Sequence, residues 1–175
     1  FKDFIWIIVD DGSTDNTTEV VENFQLFNPF FEIIYKKDKN RHKFLTVLEG
    51  IKMVKTPYFM VVDSDDAYPK DALETLISEV EKIENQDDYI SVMGLSADEN
   101  GKIVGDKYPN NGFDGSIFEM RYKYKVRGDK FGIFITKTYQ REVSDKDFSK
   151  YEGKGYIPQS VIFNEYDARG IKTRF

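Results

Sequence analysis

The sequence has no cysteine among its 175 residues and a single histidine, His42. Without thiols it can form neither disulfides nor thiolate metal sites, which suits a reducing compartment. A lone histidine placed in a basic loop excludes a multi-histidine metal centre and a histidine-based triad; His42 itself reads as an ordinary exposed side chain. Long hydrophobic runs are missing too: none approaches the roughly 18 residues needed to cross a bilayer, and no signal peptide is visible. Positive charge is in deficit, with 25 Lys and Arg against 31 Asp and Glu and a net charge of -6. That balance argues against a nucleic-acid partner. Internal repeats and low-complexity linkers are also absent.

What is present fits one ordered globular domain, 40% hydrophobic and 15% aromatic, long enough to bury a substantial core. The expected location is cytoplasmic. The chain opens on Phe1 instead of methionine and stops just after Lys172-Thr173-Arg174, which reads as the approach to another strand, so a fragment is expected.

Tyr58 to Val62 is a short apolar run that leads into three carboxylates, Asp63, Asp65 and Asp66. A run this short, without alternation, predicts a central strand buried on both faces. Like charges at its end repel more strongly as water is excluded, and an arrangement that keeps them ionised usually holds a cation. Oxygen donors of this kind favour magnesium or manganese. A solvated acidic turn, with Asp65 or Asp66 capping the next helix, competes with that reading. A helix-loop-helix calcium site fails at Ala67 and Tyr68, where its turn needs glycine.

Phe4 to Val9 is a second such run, again predicted to be a buried strand, and it ends in Asp10 and Asp11. Gly12, Ser13 and Thr14 make a turn, and Asp15 or Asn16 can cap a helix with Glu19 completing a capping box. Val20, Val21 and Phe24 form that helix's apolar face, Asn28-Pro29 breaks it, and Phe31 to Tyr35 is the next strand. Lys36 to Lys43 is a basic loop whose charge alone would suit anionic lipid. Phe44, Val47, Leu48, Ile51 and Val54 recur at helical spacing, with Thr56-Pro57 as the stop; Leu73, Leu76, Ile77, Val80 and Ile83 mark another helix. Strand and helix thus alternate three times, predicting an α/β fold with a mainly parallel central sheet flanked by helices. Ligands bind at the carboxyl ends of such strands, where both acidic clusters lie. Beyond Asn85 the pattern loosens: Ile90 to Leu95 reads as a strand, Asn100-Gly101 as a turn to Ile103-Val104, Phe131 to Thr136 as a strand, and Ser160 to Arg169 as a helix ended by Gly170. Tyr108, Phe113, Tyr122 and Tyr124 read as core, with sugar stacking the competing role.

Ile8-Val9-Asp10-Asp11-Gly12-Ser13-Thr14-Asp15 followed by Val61-Val62-Asp63-Ser64-Asp65-Asp66 resembles the family 2 glycosyltransferases of the GT-A fold. Gly128-Asp129-Lys130 and Gly155 to Ser160 are similar to stretches in a bacterial branch of that family. The resemblance implies an inverting transfer of sugar from a nucleotide diphosphate donor, UDP-linked by expectation, to a glycan or lipid-linked acceptor. It implies a nucleotide-sugar-binding half over residues 1–95 and an acceptor-side half over 96–175. Asp11 would meet the nucleotide base, Asp10 would shape its pocket, and Asp63, Ser64 and Asp65 would meet ribose and phosphate. Asp65 and Asp66 would hold Mn2+ or Mg2+, and Lys43, with Arg41, would approach the diphosphate.

The family's first strand would precede Phe1, and its glutamate base has a glutamine here, Gln159. A neutral amide cannot take a proton at neutral pH. Asp129 and then Glu152 are therefore the expected bases. A sugar-phosphate nucleotidyltransferase, and a non-catalytic glycan- or partner-binding domain, are the alternatives left open.

Overall fold

The structure, a computed structural model, describes residues 3–28 and 30–175. They fold into two compact units, Phe1–Lys55 with Lys146–Pro158, and Thr56–Asp145 with Gln159–Phe175.

In the first unit β1 (Ile5–Asp10) pairs in parallel with β2 (Glu32–Lys37), joined through α1 (Thr17–Phe27). Then follows α2 (His42–Met53), which packs on β1; a β-carbon on Gly50 would sit 3.3 Å from a Val9 methyl, so the contact needs a small residue. Helical spacing correctly placed the α2 face: Phe44, Leu48 and Ile51 are buried, with Leu45 beside them. The Phe44 ring meets those of Phe148 and Tyr151 edge-on at 5.7 and 5.5 Å, tying residues 146–158 to this helix. Two expectations need correction. The run from Phe4 is not buried throughout: Phe4, Ile5 and Trp6 are exposed, because among the described residues β2 is the one strand paired with β1. Nor does a capping box form on α1. The Asp15 carboxylate accepts the Thr17 N–H at 3.1 Å, while Asn16 caps with no side-chain bond, and of the expected face only Val21 is buried. The helix break expected at Asn28-Pro29 falls partly outside the described residues.

The second unit carries a five-stranded sheet of order β3-β6-β4-β7-β5. Its strands are β3 (Tyr58–Phe59), β4 (Tyr89–Leu95), β5 (Asp114–Gly115), β6 (Lys130–Ile135) and β7 (Lys172–Arg174). The α/β class holds, but the sheet is not mainly parallel: only β4 and β7 run together, while β3–β6, β6–β4 and β7–β5 are antiparallel. β3 and β4, linked by α3 (Ala72–Glu81), point the same way, as strand-helix-strand alternation requires. β6 inserts between them from later in the chain. That insertion also makes β3 an edge strand of two residues, with Val62 exposed, where a central buried strand was expected. The buried centre belongs to β4 and β6.

The α3 face closes over this sheet. Val80, Ile83, Tyr89, Val92, Ile133 and Ile135 form a buried cluster that Leu73, Leu76 and Ile77 join. The other side packs rings: Phe59, Phe134 and Tyr139 lie 5.1 to 5.4 Å apart, and Tyr166 follows at 5.8 Å from Tyr139. Tyr139 comes from α4 (Thr136–Ser144) and Tyr166 from α5 (Ser160–Ala168). Gly170, at φ +75°, ends α5 as expected, and Gly101, at φ +78°, turns the hairpin that bridges Ala97 to Ile103.

Candidate functional site

The first acidic strand end is organised by the chain itself. Asp10 closes β1 with its carboxylate buried, accepting the Ser13 N–H at 2.7 Å and the Tyr35 hydroxyl at 2.6 Å, with the Lys37 ammonium at 3.7 Å. Burial alone would raise this acid, but the Tyr35 and Ser13 hydrogen bonds and the Lys37 charge outweigh it and hold it at about 2. Parallel register explains the Tyr35 contact, since Tyr35 lies opposite Ile8, one same-face step before Asp10.

Asp11 uses one oxygen, Oδ1, to accept the Arg41 N–H at 2.7 Å and the Thr46 hydroxyl at 2.6 Å. The loop can approach so closely because residue 12 is glycine: at φ +85°, a β-carbon there would lie 2.7 Å from the Asn40 amide nitrogen. Three residues that sequence reasoning missed, Tyr35, Thr46 and the Arg41 main chain, thus fix both acids. A hydroxyl residue one turn into a helix that follows a strand was the available signal for Thr46.

The basic loop is less free than its charge suggested. Lys36 pairs with Glu49 at 3.0 Å and Lys39 with Glu152 at 2.9 Å, and Arg41 lies 3.9 Å from Asp38. Lys43 is exposed in the first turn of α2, and His42, also exposed, starts that helix at φ 66°. Glu152 has its carboxyl drawn below its ordinary value, first by the Lys39 hydrogen bond and then by the Lys39 and Arg41 charges. A carboxylate so paired is a weaker proton acceptor.

The second acidic strand end is built differently. Asp63, Asp65 and Asp66 follow β3 in a tight turn closed by the Asp66 N–H on the Asp63 carbonyl at 3.1 Å, and Ser64 between them is exposed. One carboxylate oxygen from each of the three acids lies within 4.8 Å of the others. Among the described residues no hydrogen bond or ion pair engages the Asp65 or Asp66 carboxylate. Three converging oxygen donors of this kind fit a hard divalent cation. Behind the turn, the Tyr68 hydroxyl donates to the Val61 carbonyl at 3.1 Å, and its ring meets Phe131 at 6.0 Å. Burial pushes the Tyr68 phenol up to about 12, with the negative charges of Asp66 and Asp63 adding to it.

Phe131 is the second residue of β6, and β6 runs antiparallel to β3, so the start of β6 lies at the same sheet end as the acidic turn. Asp129 immediately precedes it. Its carbonyl accepts the Ser96 hydroxyl at 2.8 Å, and a β-carbon on Gly128 would sit 2.7 Å from the Gly105 α-carbon, so the backbone is fixed while the side chain is exposed. Gln159 caps α5, its carbonyl accepting the Ile162 N–H at 2.9 Å, and is also exposed.

Comparison with known proteins decides the lineage, for the model of glycosyl transferase family 2 matches residues 1–148. The chain belongs to glycosyl transferase family 2. Membership brings the GT-A fold with it. A glycosyltransferase, GlyG, of Streptococcus pneumoniae is 33% identical over 146 residues, covering 82% of this chain and 42% of that protein. GlyA of the same organism is 27% identical over 172 residues, 92% of this chain and 24% of its own length. A dolichyl-phosphate beta-glucosyltransferase of Saccharomyces cerevisiae is 40% identical over 83 residues, 45% of this chain and 25% of the yeast protein. The family 2 chain thus spans less than half the length of these relatives. No helix among its described residues is long and apolar enough to cross a membrane.

Proposed function

We propose that this family 2 chain transfers a sugar from a nucleoside diphosphate donor, a uridine one by preference, to a hydroxyl acceptor with inversion at the anomeric carbon. The observation that carries the reading is the convergence of Asp63, Asp65 and Asp66 at the end of β3. Asp65 and Asp66 would hold a magnesium or manganese ion, with Asp63 and Ser64 toward the ribose. A cation held there supplies positive charge against the growing charge of a diphosphate leaving group.

Asp11 accepts the ring N–H of the base through the oxygen that Arg41 and Thr46 leave uncommitted, while Asp10 keeps the turn beneath it in place. Adenine has no ring N–H on its pairing edge and loses that contact. Lys43 and Arg41 are the cations proposed for the diphosphate. On the acceptor side Asp129 takes the hydroxyl proton as the acceptor oxygen bonds to the anomeric carbon and the bond from that carbon to the diphosphate oxygen breaks. The acceptor is a glycan or a lipid-linked acceptor; the yeast relative's name, which includes a lipid phosphate, supports the second. Residues 1–95 serve the donor and 96–175 the acceptor.

Calorimetry with uridine diphosphate tests the donor and cation together. Binding should need manganese or magnesium, should disappear in Asp65→Asn with Asp66→Asn, and should be weaker for adenosine diphosphate. Metal-independent binding, or binding unchanged in the double variant, removes the proposed site.

A further inference from the structure

The chain is acidic overall, yet residues 121–127 read Arg-Tyr-Lys-Tyr-Lys-Val-Arg, four cations with no acid among them. The segment begins in a π-helical turn, Glu119–Lys123, of a type that is rare and recurs at functional sites. It is held firmly from beneath. Met120 is buried, the Asp167 carboxylate accepts the Phe118 N–H at 2.6 Å, and the Val126 N–H returns to the Met120 carbonyl at 3.0 Å. Phe118 and Tyr122 are 52% and 62% exposed with ring centroids 4.5 Å apart, and the exposed Arg121, Lys125 and Arg127 side chains form no ion pair among the described residues, Asp106 meeting only the Arg127 main chain, at 3.0 Å. Among the described residues Lys123 is the one cation of the four with an acid beside its charged group, Glu119 at 3.1 Å. The loop at 36–43 is the contrast, since Lys36, Lys39 and Arg41 each face an acid there.

Lys125 adds a second observation. Its backbone is left-handed, at φ 58°, a conformation that favours glycine or asparagine and costs a long side chain. A lysine at that position supplies charge at the expense of local fit.

We infer that residues 118–127 form a docking surface for an anionic phospholipid bilayer, with Phe118 and Tyr122 entering the headgroup layer and Arg121, Lys125 and Arg127 meeting lipid phosphates. Aromatic rings settle at the membrane interface, and each nearby cation strengthens attachment to an anionic leaflet. The surface runs directly into Asp129 through Gly128. Docking would therefore bring a lipid-linked acceptor's head toward the proposed base; this last step rests on the transferase reading, whereas bilayer binding does not.

Vesicle flotation of the 175-residue chain tests the surface. Vesicles of phosphatidylcholine and phosphatidylglycerol in equal parts should carry the protein, and phosphatidylcholine alone should not. Each cation is worth roughly fivefold in partitioning, so Arg121→Gln with Lys125→Gly should lower it on the order of 25-fold. Glycine suits the backbone at 125, so this variant should keep the wild-type melting temperature. Tyr122→Ala should weaken the attachment that persists when salt is raised from about 0.1 M to about 0.5 M. Lys36→Gln with Lys39→Gln should change nothing. Equal recovery on both vesicle types, or wild-type flotation by the Arg121/Lys125 variant, overturns the inference, as does loss of flotation in the Lys36/Lys39 variant alone.

Discussion

Asp10 and Asp65 both follow an apolar strand in a run of acids, and they are treated in opposite ways. Asp10 is buried under a phenol, a backbone amide and an ammonium. Asp65 and Asp66 are exposed and share their turn with a third acid, Asp63, with Ser64 between. Two carboxylates about 4.8 Å apart repel by roughly 1 kcal/mol in water and about 3 kcal/mol where the effective dielectric falls to 20. The exposed turn sits near the lower figure, so it folds without a cation, and a cation bound there would relieve the repulsion. An acid that the chain neutralises itself has its energy invested in the fold; one left open can spend its charge on a ligand. The same division separates the two candidate bases, since Glu152 is paired with Lys39, whereas no hydrogen bond or ion pair among the described residues engages the exposed Asp129 carboxylate.

That second contrast yields the largest effect. Asp129→Asn should lower turnover by roughly 100-fold or more, the lower end of general base catalysis, with donor affinity nearly intact. Glu152→Gln should stay within about threefold of wild type, because little proton-accepting capacity is lost with a carboxylate that Lys39 already holds. Initial rates with donor and acceptor, alongside donor titrations, separate the two. Full activity of Asp129→Asn together with a gain in Gln159→Glu would transfer the role to position 159.

The contrast itself was only half legible in the sequence. Periodicity found the buried faces of α2 and α3, and Gly101 and Gly170 marked turns that need a left-handed backbone, because those signals are local. The position of β3 was not local: whether a run of apolar residues lies at a sheet's edge or its centre depends on β6, which arrives some seventy residues later in the chain. α4 escaped notice because its buried face carries Thr136, Thr138 and Glu142 as well as Tyr139 and Val143, and the buried Glu142 carboxylate is met by Arg169 at 2.7 Å and Arg141 at 3.1 Å. Acidic residues named both clusters, while the partners that distinguish them lie 25 and 35 residues away, at Tyr35 and Thr46.

Asp10→Asn should act on stability and show a pH signature. The folded carboxyl titrates at about 2 against an ordinary 3.8, so its ionised form stabilises the fold fully above pH 4 and progressively less as pH falls toward 2. A shift of that size converts to roughly 2.5 kcal/mol, and screening by the half-exposed residues around it leaves about 1 to 2 kcal/mol. Urea midpoints of wild type and Asp10→Asn should therefore differ at pH 7 and converge near pH 2. For Asp65→Asn the two midpoints should agree at every pH, or the variant should be slightly the more stable through relief of repulsion. A loss of stability there comparable to that at Asp10 would erase the distinction between the clusters.

Tyr35→Phe gives the smallest effect and the sharpest test of what neutralises Asp10. The substitution removes one hydroxyl, at 2.6 Å from Oδ2, and leaves the Ser13 amide and the Lys37 ammonium in place. The Asp10 carboxyl should then titrate above 2, toward its ordinary value, as followed by carboxyl-carbon NMR. The stability loss at pH 7 should be roughly half that of Asp10→Asn, since one of several charge-assisted bonds is gone. Because a phenol bonds an ionised carboxylate more strongly than a neutral amide or acid, the same substitution made in an Asp10→Asn background should cost less, and the coupling between the two sites should fade as pH falls through about 2. Equal costs in both backgrounds would mean that the phenol serves the packing of β2 and its bond to Thr18 rather than the acid.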